Sequence, residues 1–395
     1  MDAPSVNPPP AGRVLFVSNG NGEIAIAQRI AQELRTFAPE VEIDHCPLVG
    51  ESRSAIMHEV GPRAVMPSGG LIAMGNLQNI ARDLRGGLLG LTLAQRRFLA
   101  SARGSYARVV AIGDVFALLM ALAVRAPTTF VGTAKSVRVA PYGFFERRVL
   151  RRAGAVFVRD LVTAQRLRAE GVDAQAPGNV IVDLFGGPDD PHADAAARGF
   201  DPVLLLFPGS RASAYADARF LLDVLRRLAT ARASLGAVIS LAPLLESARF
   251  AAQFRDDGWD LEETGDALMP FALRSDGRVM ARAWRGEIGP LLSRATLVLG
   301  QAGTANEAAA AAGVPVVAFE RDRDRKTAWY RMRQHGLLGD ALAVCSGDPA
   351  TAAAQVGALL DDPPRRAHMA AEGRERMGGP GGASAIACAI ARSIA

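Results

Sequence analysis

Five stretches of the sequence set residues capable of chemistry directly behind short apolar runs. The first, Ser18–Asn19–Gly20–Asn21–Gly22–Glu23, follows the apolar residues 14–17. Glycines let the backbone approach a ligand, and the unpaired amides at the start of a following helix favour an anion or a polar group. The spacing is not Gly-x-Gly-x-x-Gly, and Glu23 sets a negative charge where the pyrophosphate of a dinucleotide would have to sit, which disfavours a dinucleotide site. A tight strand-to-helix turn, with an acid suited to the helix dipole, is the plainer alternative. Asp114 stands two residues beyond the run 109–112, next to Gly113. A carboxylate there lies at the ligand-binding edge of a parallel sheet, or caps the next helix. Lys135, in Gly132–Thr133–Ala134–Lys135–Ser136, is one of two lysines in a chain with 45 basic residues, and its retention marks it as a third catalytic candidate beside Asp114 and Glu23.

The second half carries groups suited to phosphate. Pro208–Gly209–Ser210–Arg211 puts a hydroxyl and a guanidinium in a small-residue turn, and an arginine fork matches the oxygens of a diphosphate. Gly300–Gln301–Ala302–Gly303–Thr304–Ala305–Asn306–Glu307 runs from an apolar strand through a Gly/Thr turn into an alanine-rich helix. Phosphate can dock on the turn and the helix start, while Glu307, about one turn in, can accept from ribose hydroxyls. The donor-binding set is therefore Gly209, Ser210, Arg211, Gln301, Gly303, Thr304, Ala305, Asn306 and Glu307. His45, His58, His192, His335 and His368 lack metal-ligand spacing, and no dedicated metal carboxylate cluster is evident. Neither a metal nor a cofactor is expected.

These residues need a scaffold, and its pattern runs through the chain. Short β-branched apolar runs alternate with Ala/Leu/Arg segments of helical period, the form of repeated βα units around a parallel sheet. In the first half strands are expected at 14–18, 41–45, 108–112, 128–131, 155–158 and 176–177, with helices at 23–37, 76–84, 93–101, 115–124, 143–151 and 161–170. The pattern breaks at Gly186–Gly187–Pro188–Asp189–Asp190–Pro191 and restarts with a strand at 202–207. Strands at 237–241, 268–271, 278–280, 296–299 and 314–319 follow, with helices at 216–231, 287–293 and 305–312. A chain of 395 residues exceeds one ordinary core. The expected division is a flexible 1–12, an N-terminal acceptor-side domain at 13–185, a linker at 186–201, a C-terminal nucleotide-sugar-binding domain at 202–377 and a terminal helix at 378–395.

Composition narrows the class. With 49% hydrophobic and 22% charged residues the chain should be compact. Its net charge of +5 is spread among nearly equal numbers of acids and bases without a recognition motif, so nucleic acid is not an expected partner. Cys46, Cys345 and Cys388 are scattered and odd in number, against a disulfide framework and in keeping with a reducing cytoplasm. No apolar run reaches the length needed to span a bilayer, and residues 1–12 lack the apolar centre of a secretory signal.

In order along the chain, Gly178–Asn179–Val180–Ile181–Val182–Asp183, Pro208–Gly209–Ser210–Arg211, and Gly303–Thr304–Ala305–Asn306–Glu307 with Gly313–Val314–Pro315–Val316–Val317 resemble lipid-A-disaccharide synthase, and especially a group of bacterial proteins related to it. The opening Ser18–Asn19–Gly20–x–Gly22–Glu23 and Val131–Gly132–Thr133–Ala134–Lys135–Ser136 are similar to that group too, so the likeness spans residue 14 to the C-terminus. It implies a glycosyltransferase-B (GT-B) fold, two Rossmann-like parallel-sheet α/β domains facing a cleft. It also implies inverting, metal-independent transfer of an N-acetylglucosamine-type sugar from a UDP-sugar to a lipid or glycolipid acceptor. Asp114 then aligns with a catalytic carboxylate near Glu23, Arg211 meets the diphosphate, and Asn19, Gly20, Asn21 and Gly22 form an acceptor-side loop. Two departures leave the acceptor open. Asn21 stands where the related group has histidine, and the opening motif differs from the Gly-Glu-x-Ser-Gly-Asp of the synthases.

A lipid acceptor would place a cytoplasmic protein peripherally on the inner face of the plasma membrane, with the apolar and basic stretches 71–103 and 144–152 as contacts. A UDP-N-acetylglucosamine 2-epimerase-like enzyme and a non-catalytic nucleotide-sugar-binding protein are the alternatives. The scarcity of histidine argues against the first.

Overall fold

The structure is a computed structural model that describes residues 12–50, 54–63, 88–186, 190–211, 213–243, 245–321 and 325–394. Residues 1–11, the expected helix at 76–84 and the stretch 71–87 lie outside them. The described chain forms two compact units. One runs to Leu184 and is rejoined at Gly378; the other is Phe185–Met377.

The first unit is built on a seven-stranded sheet whose strands are β1 (Arg13–Asn19), β2 (Glu42–Val49), β3 (His58–Glu59), β4 (Arg108–Gly113), β5 (Thr128–Gly132), β6 (Ala155–Val158) and β7 (Ala174–Gln175). Their order is β3-β2-β1-β4-β5-β6-β7, and every pairing is parallel. Val14, Leu15, Phe16 and Val17 are fully buried, as expected of a strand covered on both faces. The chain leaves β1 to one side for β2 and β3, then crosses back to lay β4 on the other side. That reversal makes the carboxyl ends of β1 and β4 the switch point where open α/β sheets take ligands.

The helix Asn21–Phe37 buries Ile24, Ala27, Ile30, Ala31 and Leu34, one stripe at helical spacing. The last helix, Gly382–Ile394, packs along it through a second stripe that includes Ile386, Ala387 and Ile390. Burying one such isoleucine is worth about 1.5–3 kcal/mol. The sequence string 178–183 seats this returning segment. The Asp183 carboxylate accepts the amides of Gly381 and Ala383 at 2.6 and 2.7 Å, capping the helix, and the Asn179 amide donates to the Gly379 carbonyl at 3.0 Å. Gly178, at φ 153°, passes so close that a Cβ on it would stand 2.6 Å from the Gly382 nitrogen. A motif that carried the family likeness thus holds the fold together.

The second unit has an eight-stranded sheet made of β8 (Val203–Phe207), β9 (Gly236–Ser240), β10 (Asp260–Glu263), β11 (Phe271–Ser275), β12 (Arg278–Trp284), β13 (Leu297–Gly300), β14 (Val316–Glu320) and β15 (Leu342–Ser346), in the order β10-β11-β12-β9-β8-β13-β14-β15. From β12 to β15 it is parallel, with its switch point between β8 and β13. One edge departs from the uniformly parallel expectation: β11 runs antiparallel to both β10 and β12. The cause is local. Asp276 and Gly277, at φ 52° and 75°, make a two-residue turn whose twist matches a hairpin. Within 186–201, Pro191–Ala197 is helical, with proline in the first turn and the Asp190 carboxylate accepting the His192 amide at 2.9 Å. Among the described residues no helix is long and apolar enough to cross a membrane.

Candidate active site

In the first unit the groups of interest collect where β1 and β4 end. Gly20 follows β1 at φ 134°, a conformation that favours glycine, and starts the helix Asn21–Phe37. The Glu23 side chain turns back over it: a Cβ on Gly20 would lie 2.5 Å from Glu23 Oε2. Across the switch point, a Cβ on Gly113 would lie 3.1 Å from Glu23 Cγ and 3.7 Å from the Asn19 Cβ. Two glycines, Gly20 just after β1 and Gly113 at the end of β4, therefore make the slot that Glu23 occupies. Asp114 follows Gly113 and caps the helix Val115–Ala121, its Oδ1 accepting the Ala117 amide at 3.1 Å. The Asn19 side-chain amide reaches both oxygens of the same carboxylate at 3.2 Å. Asp114 is thus both the cap and a carboxylate at the sheet edge, the two readings its sequence position allowed.

This setting changes the acid chemistry of Glu23. Burial pushes its carboxyl up to about 7; a backbone hydrogen bond opposes the rise and the negative charge of Asp114 adds to it. Near neutrality Glu23 can therefore hold or release a proton next to the half-buried Asp114, the condition for general acid–base work.

Lys135 is engaged by other partners. Its Nζ donates to Glu146 at 2.7 and 2.9 Å and stands 4.9 Å from the centre of the Tyr142 ring. Of the acceptor-side loop, Asn19 and Gly20 lie in the carboxylate cluster, Gly22 is exposed in the first helical turn, and Asn21 begins the helix. Ser18 is buried and bonds through Oγ to Nε2 of His45 at 2.8 Å; burial drives that imidazole down to about 4.

In the second unit the two phosphate-type turns meet at the switch point. The Gln301 amide donates to the Phe207 carbonyl at 2.9 Å, tying the exit of β13 to the end of β8. A Cβ on Gly209, at φ 102°, would lie 3.9 Å from the Gln301 oxygen. Ser210, Arg211, Gly303 and Thr304 are exposed on these turns. The helix Thr304–Ala311 begins at Gly303 without a side-chain cap, with Ala305 and Glu307 half-buried in its first turns. Uncapped amides there suit an anion.

Two members of the expected donor set hold the turn itself. The Gln301 side chain donates to the Phe319 carbonyl at 3.1 Å and accepts from Arg331 at 2.9 Å. Asn306, fully buried, donates to the Gly300 carbonyl at 3.2 Å. The contacts of Arg331 come from a helix, Arg325–Leu338, that sequence reading did not anticipate. Among the described residues no group of three His, Cys, Asp or Glu side chains is arranged to hold a metal ion.

No protein-family model matches the chain, and no curated protein matches it in sequence. Solved structures match its fold over nearly its whole length. A calicheamicin glycosyltransferase is 17% identical with a TM-score of 0.61, over 98% of both chains. A UDP-N-acetylglucosamine 2-epimerase from Methanocaldococcus jannaschii is 13% identical with a TM-score of 0.53, over 96% of this chain and 99% of that one. The Neisseria meningitidis UDP-N-acetylglucosamine 2-epimerase, bound to UDP-N-acetylglucosamine, is 14% identical with a TM-score of 0.56, over 96% of this chain and all of that one. The chain has the GT-B fold of glycosyltransferases and sugar-nucleotide epimerases.

Proposed function

We propose that the chain is a lipid-A-disaccharide synthase-like glycosyltransferase that moves an N-acetylglucosamine-type sugar from UDP to a lipid or glycolipid hydroxyl, with inversion and without a metal. The observation that carries this reading is the placement of Glu23 against Asp114 at the switch point of the first sheet, with the Glu23 proton held near neutrality. The acceptor oxygen attacks the anomeric carbon, the bond from that carbon to the diphosphate oxygen breaks, and its electron pair leaves with UDP. The acceptor proton passes to the carboxylate pair. Arg211 and the uncapped amides at Gly303 and Thr304 offset the charge that grows on the diphosphate. Binding of UDP-N-acetylglucosamine by an epimerase of the same fold supports that donor class.

A lipid acceptor is supported by exposed apolar side chains on two helices of the same unit as the carboxylates. Phe144 and Phe145, 72% and 62% exposed, open the helix Phe144–Leu150, and Leu161, 57% exposed, opens Leu161–Ala169 after β6. Arg147, Arg148, Arg151 and Arg152 follow the first pair. Apolar side chains backed by arginines suit an anionic bilayer surface. The competing reading is epimerisation at C2, for which two acid–base carboxylates would also serve.

The deciding experiment incubates the purified protein with UDP-N-acetylglucosamine in deuterated water, with and without a glycolipid acceptor. UDP release that depends on acceptor supports transfer; deuterium at C2 without acceptor replaces it with epimerisation. Flotation with anionic vesicles at low salt tests the lipid surface, and a Phe144→Ser/Phe145→Ser double variant that floats as well as wild type removes it.

A further inference from the structure

The geometry points to Tyr142 as a further substrate-contacting residue, its phenol offering a neutral hydrogen bond to the acceptor hydroxyl beside Glu23 and Asp114. The inference rests on the transferase reading above and adds to it a donor group absent from the sequence motifs.

Tyr142 is 2% exposed, and its ring belongs to the core of the first unit. The hydroxyl is placed by a missing side chain: it lies 3.3 Å from where a Cβ on Gly132 would stand. Gly132 ends β5 in register with Gly113, the last residue of β4 before Asp114, and the Thr133 amide donates to the Gly113 carbonyl at 3.2 Å. The phenol therefore reaches the same sheet edge as the carboxylates, and Asp114 is among the charges that act on it. Burial and the acids Glu146, Asp160 and Asp114 push its ionisation upward, so the hydroxyl keeps its proton.

Within the described residues that hydroxyl makes no hydrogen bond, although the ring is held on several sides. Arg147 donates to the Tyr142 carbonyl, and the Lys135 ammonium stands over the ring while paired with Glu146. The hydroxyl is also not sealed from solvent, unlike the buried unpartnered oxygens of Thr133 and Asp160. Here the structure fixes the ring and leaves the polar tip for something else. This also gives Lys135 a place in the site as a positioning residue for Tyr142, in contact with the ring and not with the carboxylates.

Tyr142→Phe keeps the ring and its cation contact and removes only the hydroxyl. The expected result is an unchanged melting temperature, an unchanged thermal shift on adding UDP, and a fall of about tenfold in kcat/KM for the acceptor, the worth of one hydrogen bond to a substrate. Lys135→Met, which frees the ring, should lower the same acceptor parameter with UDP binding intact. Wild-type kinetics in Tyr142→Phe, or a melting temperature lowered by several degrees, overturns the inference, the second because the hydroxyl would then be structural. If wild type moves no sugar from any UDP donor to any acceptor, the transferase reading itself falls and takes this inference with it.

Discussion

Asn19 presents its side-chain amide to both oxygens of Asp114, 3.2 Å from each, so the residue that ends β1 orients the carboxylate that follows β4. A hydrogen bond to a charged group is worth about 1.5–3 kcal/mol. Asn19→Ala should therefore lower kcat by about tenfold or more with little change in UDP affinity. Steady-state kinetics beside a UDP titration checks it; a variant with wild-type kcat shows that the amide does not orient the carboxylate for chemistry.

The pH profile of the reaction tests the role of Glu23. With the Glu23 carboxyl at about 7, a base role for it makes kcat/KM climb as pH rises through that value. Glu23→Gln should abolish that limb. If the limb persists in Glu23→Gln and disappears in Asp114→Asn, Asp114 is the base.

Stability carries the opposite sign. The folded-state value of Glu23 lies above its ordinary 4.5, so its stabilising contribution is complete below that pH and is lost as pH rises toward 7. The Glu23→Gln protein should lack this decline, and urea midpoints between pH 4.5 and 8 measure the difference.

His45 titrates the other way. Its imidazole is held down to about 4 by burial, so the stability it contributes is present above 6.5 and lost as pH falls toward 4. One proton taken up on unfolding gives a slope of at most about 1.4 kcal/mol per pH unit. Nitrogen-detected NMR should find His45 neutral at pH 5; a titration near 6.5 contradicts the buried pair with Ser18.

Arg211 should act on the donor alone. Arg211→Ala is expected to weaken UDP about tenfold or more, through loss of a charge-assisted contact. Equal thermal shifts with UDP in variant and wild type would remove Arg211 from the donor site.

The turn beneath that site has its own test. A Cβ on Gly300 would lie 1.9 Å from Asn306 Oδ1, so Gly300→Ala should cost about 1–3 kcal/mol by overpacking. Adding Asn306→Ala should return part of the loss, and a double-mutant cycle in urea measures the coupling. Additive losses would show that the two do not press on each other.

Much of the scaffold was legible because the apolar runs at 14–18, 108–112 and 202–207 are short and followed by small or turn-forming residues. Those features also placed Glu23, Asp114, Gly209 and Gly303 at strand exits. What depends on distant packing was not legible. The proton affinity of Glu23 comes from a slot bounded by Gly113, 90 residues away, and nothing around Ala140–Pro141–Tyr142–Gly143 marks a tyrosine whose hydroxyl is placed by a glycine on another strand. The hairpin at Asp276–Gly277 was overlooked although its two turn residues are a strong local signal, because 278–280 was read as one more parallel strand. Arg325–Leu338, which supplies Arg331 to Gln301, has weak periodicity and was not anticipated.

The closing of the first unit by Gly382–Ile394 bears on how the protein is made. On a ribosome the stripe on Asn21–Phe37 emerges long before the helix that covers it, and Asp183 waits almost two hundred residues for the amides it caps. A premature stop codon late in the message would therefore injure the beginning of the protein, baring an apolar face in the half that carries Glu23 and Asp114.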